Sequence, residues 1–271
     1  MTPLEEYYNK FNEDKRLLSR HGRVEFNTTM HFIRQCIREL EKTKGANEPI
    51  RLADIGAGTG RYSIALAREG VDVTAVELVN YNLGILKKNA REMLDDTCRL
   101  NAFKGNALKL KRFEDESFDV VLLLGPLYHL HSEDDKVRAL TEAKRILVKG
   151  GIILAGYVMA DYALIKHGFM EENIENSIEK GMIGEDYSIE SNESELYDYV
   201  RLSDINVINR RAGLKRRVIF SPDGAADYIR PVLNAMPEER FNLFMDYQLK
   251  NAARSELVGA GSHTVDILVK E

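Results

Sequence analysis

Between residues 50 and 158 the spacing of apolar positions switches repeatedly between a period of two and the helical period. IRLADI (50–55) is a short apolar run that ends in a glycine loop, DIGAGTGRYS (54–63). RYSIALAREG then places Ile64, Leu66 and Ala67 at helical intervals and stops at Gly70, a C-terminal cap. VDVTAVE (71–77) alternates its valines as a strand does, and a helical stripe of Leu83, Leu86, Ala90 and Met93 or Leu94 follows, with Asn80 as its cap. RLNAFKGNA gives a third short strand. FDVVLLLGPLYHL is the most apolar run of the chain, as befits the buried centre of a parallel sheet. SEDDKVRALTEAKRIL is the helix after it, with Ser132 and Asp135 spaced like a capping box, and KGG turns into the strand IILAGYV. The alternation predicts an α/β fold with a doubly wound, mostly parallel sheet and helices on both faces.

Two regions break this rhythm. Residues 1–45 read as a helical cap of two helices joined near RHGRVEF, packed over the sheet's edge. Residues 160–200 are acidic, poor in aliphatic runs and too long for a connection in a compact domain, which makes them a helical lid inserted near a ligand. The 271 residues, 44% hydrophobic, suffice for a single domain with such a lid. A net charge of −5 does not mark a polyanion binder. The basic stretch RRAGLKRR (210–217) straddles a helix end and an edge strand, two places where cations are favoured without nucleic acid. Cys36 and Cys98 have neither metal-ligand spacing nor a disulfide framework, so no metal is expected and a reducing compartment is. The charged N-terminus lacks the apolar core of a signal peptide, and no stretch approaches the roughly 20 apolar residues of a membrane span. The expected location is cytoplasmic, away from membranes.

The chemistry begins at the glycine loop. A dinucleotide site uses G-x-G-x-x-G, whereas here Gly56, Gly58 and Gly60 alternate and Arg61 takes the sixth position, reading as a surface charge at the start of its helix. Asp54, two residues before the first glycine, would repel a pyrophosphate and suits a cationic ligand. Glu77 ends the second strand, where it can accept hydrogen bonds from both hydroxyls of a ribose. The ligand is thus a nucleoside that carries positive charge.

LADIGAGTGRYSIALA, VTAVEL, GNA, FDVVLLLGPLYHL and EAKRILVKGGIILAGY, in this order and spacing, resemble the class I S-adenosylmethionine-dependent methyltransferases over about residues 50–158. The resemblance implies a Rossmann-like sheet of seven strands whose last runs antiparallel, here SHTVDILVKE (262–271) beside KRRVIF (215–220). It implies S-adenosyl-L-methionine as cofactor, with Asp54, Gly56, Ala57, Gly58 and Gly60 around its methionine part and Glu77 on its ribose. Leu78 matches the apolar residue beside the adenine. Asn106 stands where the family often has Asp and keeps an acceptor for the adenine amino group, while the Ala107 N–H faces a ring nitrogen. The carbonyl of Leu124 matches the one that receives the methionine ammonium.

Transfer from a sulfonium is an in-line displacement with an activated leaving group, so proximity and orientation carry most of it. A base is required only for a poor nucleophile. The candidates are Tyr128 and His129, with His131 behind them, just beyond the fourth strand in GPLYHLH. GPLY resembles the D/N-P-P-Y/F of enzymes that methylate exocyclic amino groups, but Gly125 replaces the residue that would bind the amino hydrogens. In related enzymes a segment before the first strand folds over the donor, which brings Tyr8, His21 and Arg23 into question. The reading is methyl transfer to a small-molecule acceptor at oxygen, nitrogen or carbon, with a homodimer left open and nucleic acid not expected as a partner. The alternatives are a non-catalytic S-adenosylmethionine-binding protein, an RNA methyltransferase and an NAD-dependent oxidoreductase.

Overall fold

The computed structural model describes residues 3–10, 19–45 and 48–271. Its centre is β4 (Phe118–Leu123), buried at all six positions. β4 lies parallel between β1 (Arg51–Ile55) and β5 (Leu147–Met159). Beyond β1 follow β2 (Asp72–Glu77) and β3 (Leu100–Lys104), again parallel. On the other side β8 (His263–Val269) runs antiparallel to both β5 and β7 (Lys215–Phe220). The path β3-β2-β1-β4-β5-β8-β7 reverses between β1 and β4, where doubly wound sheets bind ligands at the carboxyl ends of the strands. These seven strands and the antiparallel last one agree with the sequence. An eighth, β6 (Tyr199–Val200), adds two residues beside Val158 and Met159 at the carboxyl end of β5.

Both sheet faces are covered, which is why β4 carries no polar alternation. Val121 and Leu123 point to helices 133–146 and 202–212 through Leu140, Ala143, Ile205 and Ile208. Val120 and Leu122 point the other way, to Met30, Ile33 and Ile37 of helix Arg20–Glu41 and to Leu66 of helix Arg61–Arg68. Helix Arg20–Glu41 therefore covers a face of the sheet, not its edge. RHGRVEF forms its first turns, so any joint with helix Pro3–Lys10 falls on residues outside the described ones.

Local signals hold in part. Ser132 Oγ accepts from the Asp135 N–H at 3.0 Å and starts helix Glu133–Ile146. Gly70 adopts φ +89° just past helix Arg61–Arg68. Asn80, by contrast, is the first residue inside helix Asn80–Met93 and does not cap it; Val79 occupies the cap position and its N–H is taken by Glu77. Along that helix Leu83 and Leu86 are buried while Met93 is exposed. The segment 160–200 is helical only in its first half: a helical turn at Ala160–Ala163, a wider π turn over Leu164–Met170, and helix Ile174–Glu179. Among the described residues no helix is long and apolar enough to cross a membrane.

Gly60 is a packing glycine. Its φ is +88°, and a Cβ there would sit 2.7 Å from Leu86 Cγ. Gly60→Ala is expected to destabilise the fold by about 1–3 kcal/mol. Chemical denaturation compared with wild type checks this, and an unchanged midpoint would contradict it.

Candidate active site

At the carboxyl edge of the sheet, nine of the ten donor-site residues expected from the sequence line one cavity of about 180 Å³. Gly60, the tenth, stays outside for the packing reason given. The glycine loop is held from β2: the Gly56 and Ala57 N–H groups both donate to the Val76 carbonyl, at 2.7 and 3.1 Å. Pro126 closes over Gly56, where a Cβ would stand 2.7 Å from the proline ring. Glu77, 5% exposed, accepts from the Gly58 N–H through Oε2 and from the Val79 N–H through Oε1, each at 2.8 Å. Asp54 is buried beside it and accepts from Ser63 Oγ at 2.6 Å. Burial pushes its carboxyl up to about 6, with Ser63 opposing and the Glu77 charge adding to the rise.

Two buried polar atoms in this cavity lack a partner among the described residues: Arg61 Nε and Asn82 Oδ1. Arg61 is thus a cavity residue rather than a surface charge; its guanidinium lies 5.3 Å from the ring centre of Phe26. The set fits S-adenosylmethionine in character: Asp54 for the ammonium, Arg61 for the carboxylate, Glu77 and Asn82 for the ribose hydroxyls. Leu78, 40% exposed, offers the apolar side for the adenine. Asn106 lines the cavity too, but its side-chain oxygen accepts from the Leu108 N–H at 2.9 Å, so the turn already uses one of its lone pairs. Neither Arg61 nor Asn82 was legible as a ligand group. The one signal was position, the residues opening the helices after β1 and β2.

A second cavity, of about 330 Å³, adjoins the first, and Tyr8 and Tyr128 line both. Helix Pro3–Lys10 places Tyr8 there, so the N-terminal segment borders both cavities. His21 lines the second cavity, while Arg23 lies in neither; it pairs with Glu238 at 3.7 Å and stacks over Phe241. His131 lines neither cavity.

His129 has both ring nitrogens engaged. Nδ1 donates to the Leu196 carbonyl at 2.9 Å, and Nε2 accepts from the Tyr8 hydroxyl at 3.0 Å. Burial pushes its pKa down to about 4. The imidazole is neutral at physiological pH, a weak base, and placed to tie helix Pro3–Lys10 to residue 196. The same 126–130 turn is fixed further: the Asp198 N–H donates to the Tyr128 carbonyl at 2.8 Å, and Lys136 Nζ pairs with Asp198 at 2.6 Å while donating to the Leu130 carbonyl. Lys136 is 2% exposed. A lysine among the buried positions 136, 139, 140 and 143 of its helix was the sequence signal for that anchor.

In the second cavity His263 and Asp223 form a pair that the sequence reading missed. Asp223 accepts from His263 Nδ1 at 2.7 Å and from the His263 backbone N–H at 3.1 Å. Burial pushes the Asp223 carboxyl up, and His263 pulls it back down. Asp227, which burial also pushes up, is held below its usual value by His263 and Arg230. Asp223, Asp227 and His263 bring side-chain ligand atoms within 4.8 Å of one another. Asp223 is engaged by the histidine, however, and Asp227 by Arg230 at 2.7 Å, so the cluster is a compensated hydrogen-bond network and not an open cation site.

Comparison with known proteins adds the family. Residues 53–155 match the family model described as a methyltransferase domain. Over 120 residues the chain is 30% identical to a demethylmenaquinone methyltransferase of Clavibacter sepedonicus, a match covering 44% of this chain and 46% of that protein. It is 25% identical over 201 residues to a ubiquinone biosynthesis O-methyltransferase of Cereibacter sphaeroides, covering 71% and 74% of the two chains. The fold is similar to that of a Thermotoga maritima S-adenosylmethionine-dependent methyltransferase, a possible histamine N-methyltransferase, with a TM-score of 0.56 at 21% identity over 99% of this chain and 100% of that one. The chain spans about half the length of the demethylmenaquinone methyltransferases it matches. Matching motifs, fold and cradle agree: residues 53–155 are a class I S-adenosylmethionine-dependent methyltransferase domain, and S-adenosylmethionine is its cofactor.

Proposed function

We propose that the protein transfers the methyl group of S-adenosylmethionine to a small-molecule acceptor held in the second cavity. The observation that carries this is the shared wall: Tyr8 and Tyr128 border both the donor cradle and the adjoining cavity. A volume of about 330 Å³ suits a small molecule rather than a polymer segment. The basic stretch 210–217 also disfavours RNA, because four of its five cations are matched within the fold. Arg211 pairs with Glu133 and Asp134, Lys215 with Glu271, Arg216 with Asp266 and Arg217 with Glu39. NAD is disfavoured by the buried carboxylate of Asp54, which would face a pyrophosphate, and by Arg61 in place of the third glycine.

The bound sulfonium supplies a methyl group that needs no further activation. What the chain contributes is position: Asp54, Arg61 and Glu77 hold the donor, the tyrosines wall the acceptor, and helix Pro3–Lys10 with residues 196–200 excludes water from the junction. Residues 160–200 act as the acceptor-side wall, through Tyr162, Lys166, Tyr197 and Tyr199. Their far end is fixed by the Asp198 contacts, so any opening of a lid takes place before residue 196.

Two tests follow from this reading. Asp54→Ala and Glu77→Ala are each expected to weaken S-adenosylhomocysteine binding by about 1–3 kcal/mol in calorimetry, since each removes a buried carboxylate from donor groups. Because the Asp54 carboxyl titrates near 6 in the fold against an ordinary 3.8, its ionised form is disfavoured there. The ligand-free protein therefore loses this group's contribution to stability as pH rises from about 3.8 through 6. Affinity for the ammonium-bearing ligand has the opposite sign, falling as pH drops through about 6, and Asp54→Asn should abolish that fall.

The second test identifies the acceptor class: methyl-labelled S-adenosylmethionine is incubated with the protein and a cell extract separated by size. Label is expected in the fraction of small metabolites. Label recovered only in RNA would overturn the small-molecule reading.

A further inference from the structure

Resting on the reading above, we propose that the acceptor is a planar aromatic or heteroaromatic molecule of one or two fused rings, with no long aliphatic tail. The lining of the second cavity is the first support. Six of the chain's twelve tyrosines form it: Tyr7, Tyr8, Tyr128, Tyr162, Tyr197 and Tyr199. Among the described lining residues Val158 is the one aliphatic side chain, so an isoprenoid or acyl chain finds almost no surface of its own kind. Charge selects less. Three of the four lining carboxylates are already paired within the wall: Glu171 with Lys166 and His167, each at 2.9 Å, and Asp227 with Arg230 and Asp223 with His263, each at 2.7 Å. Ring surface is what the walls offer most of.

The second support is that these rings hold one another. Tyr197 packs edge to face against Tyr7, Tyr128 and Tyr199, with ring centres 6.4, 5.7 and 6.4 Å apart, and Tyr162 packs the same way against Tyr228 at 5.0 Å. The walls are therefore set before a ligand arrives, and little rotamer freedom is lost on binding. A planar ring entering such a set can stack on one tyrosine and meet the edge of another, contacts that a saturated ring of the same size cannot make. Location is the third support. Tyr8 and Tyr128 also border the donor cavity, so a ring seated among the tyrosines lies beside the methyl source. The volume of about 330 Å³ admits one or two fused rings with their substituents. At an acceptor hydroxyl or amine the step balances without another reagent: the heteroatom lone pair forms the new bond to the methyl carbon, the C–S pair stays on sulfur, and the heteroatom's proton leaves to solvent.

The test uses the full chain saturated with S-adenosylhomocysteine and measures the Kd of matched probes by calorimetry: catechol against trans-1,2-cyclohexanediol, 2-naphthol against trans-2-decalol, and geraniol as an isoprenoid. The saturated probes are the more hydrophobic of each pair, so burial alone would favour them and only ring contacts reverse the order. In at least one pair the aromatic probe is expected to bind about fivefold or more tightly than its saturated counterpart, and geraniol more weakly than 2-naphthol. Tyr199→Leu and Tyr162→Leu should each narrow the aromatic preference to within about twofold and leave the Kd of S-adenosylhomocysteine within twofold. A variant that merely loosens the fold would lower melting temperature and weaken both members of a pair alike. Should either variant fail to fold, the wild-type pairs still decide, together with the labelled product of the extract experiment above, whose absorption spectrum and mass are expected to show an aromatic ring. Equal or reversed affinities in both pairs, geraniol binding more tightly than 2-naphthol, an unchanged preference in both folded variants, or a labelled aliphatic product would each overturn the proposal. A labelled small metabolite that is aliphatic sinks this inference alone; label in no small metabolite sinks the small-molecule reading beneath it.

Discussion

The Glu77 carboxylate ties together the three pieces that make the donor cradle. It ends β2, takes the Gly58 N–H of the glycine loop and takes the Val79 N–H that leads into helix Asn80–Met93. A buried carboxylate is tolerable only with donors around it, and here the donors are backbone groups of the two segments that must be positioned. Val76, one residue earlier, fixes the Gly56 and Ala57 N–H groups in the same way. The loop can satisfy both only with left-handed backbone at Gly56 and Gly58, which is why glycine stands at those positions. The cradle is therefore shaped before any ligand arrives. Its cost is electrostatic: Asp54 and Glu77 lie close enough for the second to push the first up, a repulsion that a cationic ligand relieves.

Most of the sheet was legible because its signals are local. The runs that became β1 to β5 stand apart from their helices by period, and both faces of β4 being covered follows from its unbroken apolar run Val120–Leu123, its one polar residue, Asp119, being buried in an ion pair with Lys44. What was misread depended on distant partners. Gly60 shares the spacing of the ligand glycines, yet Leu86 on the next helix decides its role. Asn80 has the residue type of a cap, but a carboxylate three residues earlier takes the N–H of the cap residue, Val79. Arg61 looks like any helix-opening arginine until Phe26, on a helix that precedes the sheet, turns out to lie under it.

The two histidines show the same limit in the site. His129 was conspicuous because GPLYHLH follows the most apolar strand, and the structure does bring it to the cavity wall. Its surroundings then remove the property that made it conspicuous, since burial holds it neutral and two hydrogen bonds occupy its ring. His263 drew no notice in SHTVDILVKE. It gains its carboxylate from Asp223, 40 residues away and past the end of β7, because β7 and β8 pair antiparallel and bring their neighbouring residues to one edge.

That edge also explains why Tyr128 can serve both cavities. The turn carrying it leaves β4 at the point where the strand order reverses, so it has the donor loop on one side and the antiparallel half of the sheet on the other. A turn in that position needs anchoring from outside the sheet, and residues 196–198 supply it through the Tyr128 carbonyl, the His129 ring and the Lys136–Asp198 pair. A desolvated ion pair of this kind adds little net stability, yet breaking it leaves a buried charge and costs about 3–5 kcal/mol. Its effect is to fix register. Residues 196–198 and the turn that borders both cavities are thereby held in one register, which ties the geometry of the second cavity to that of the first.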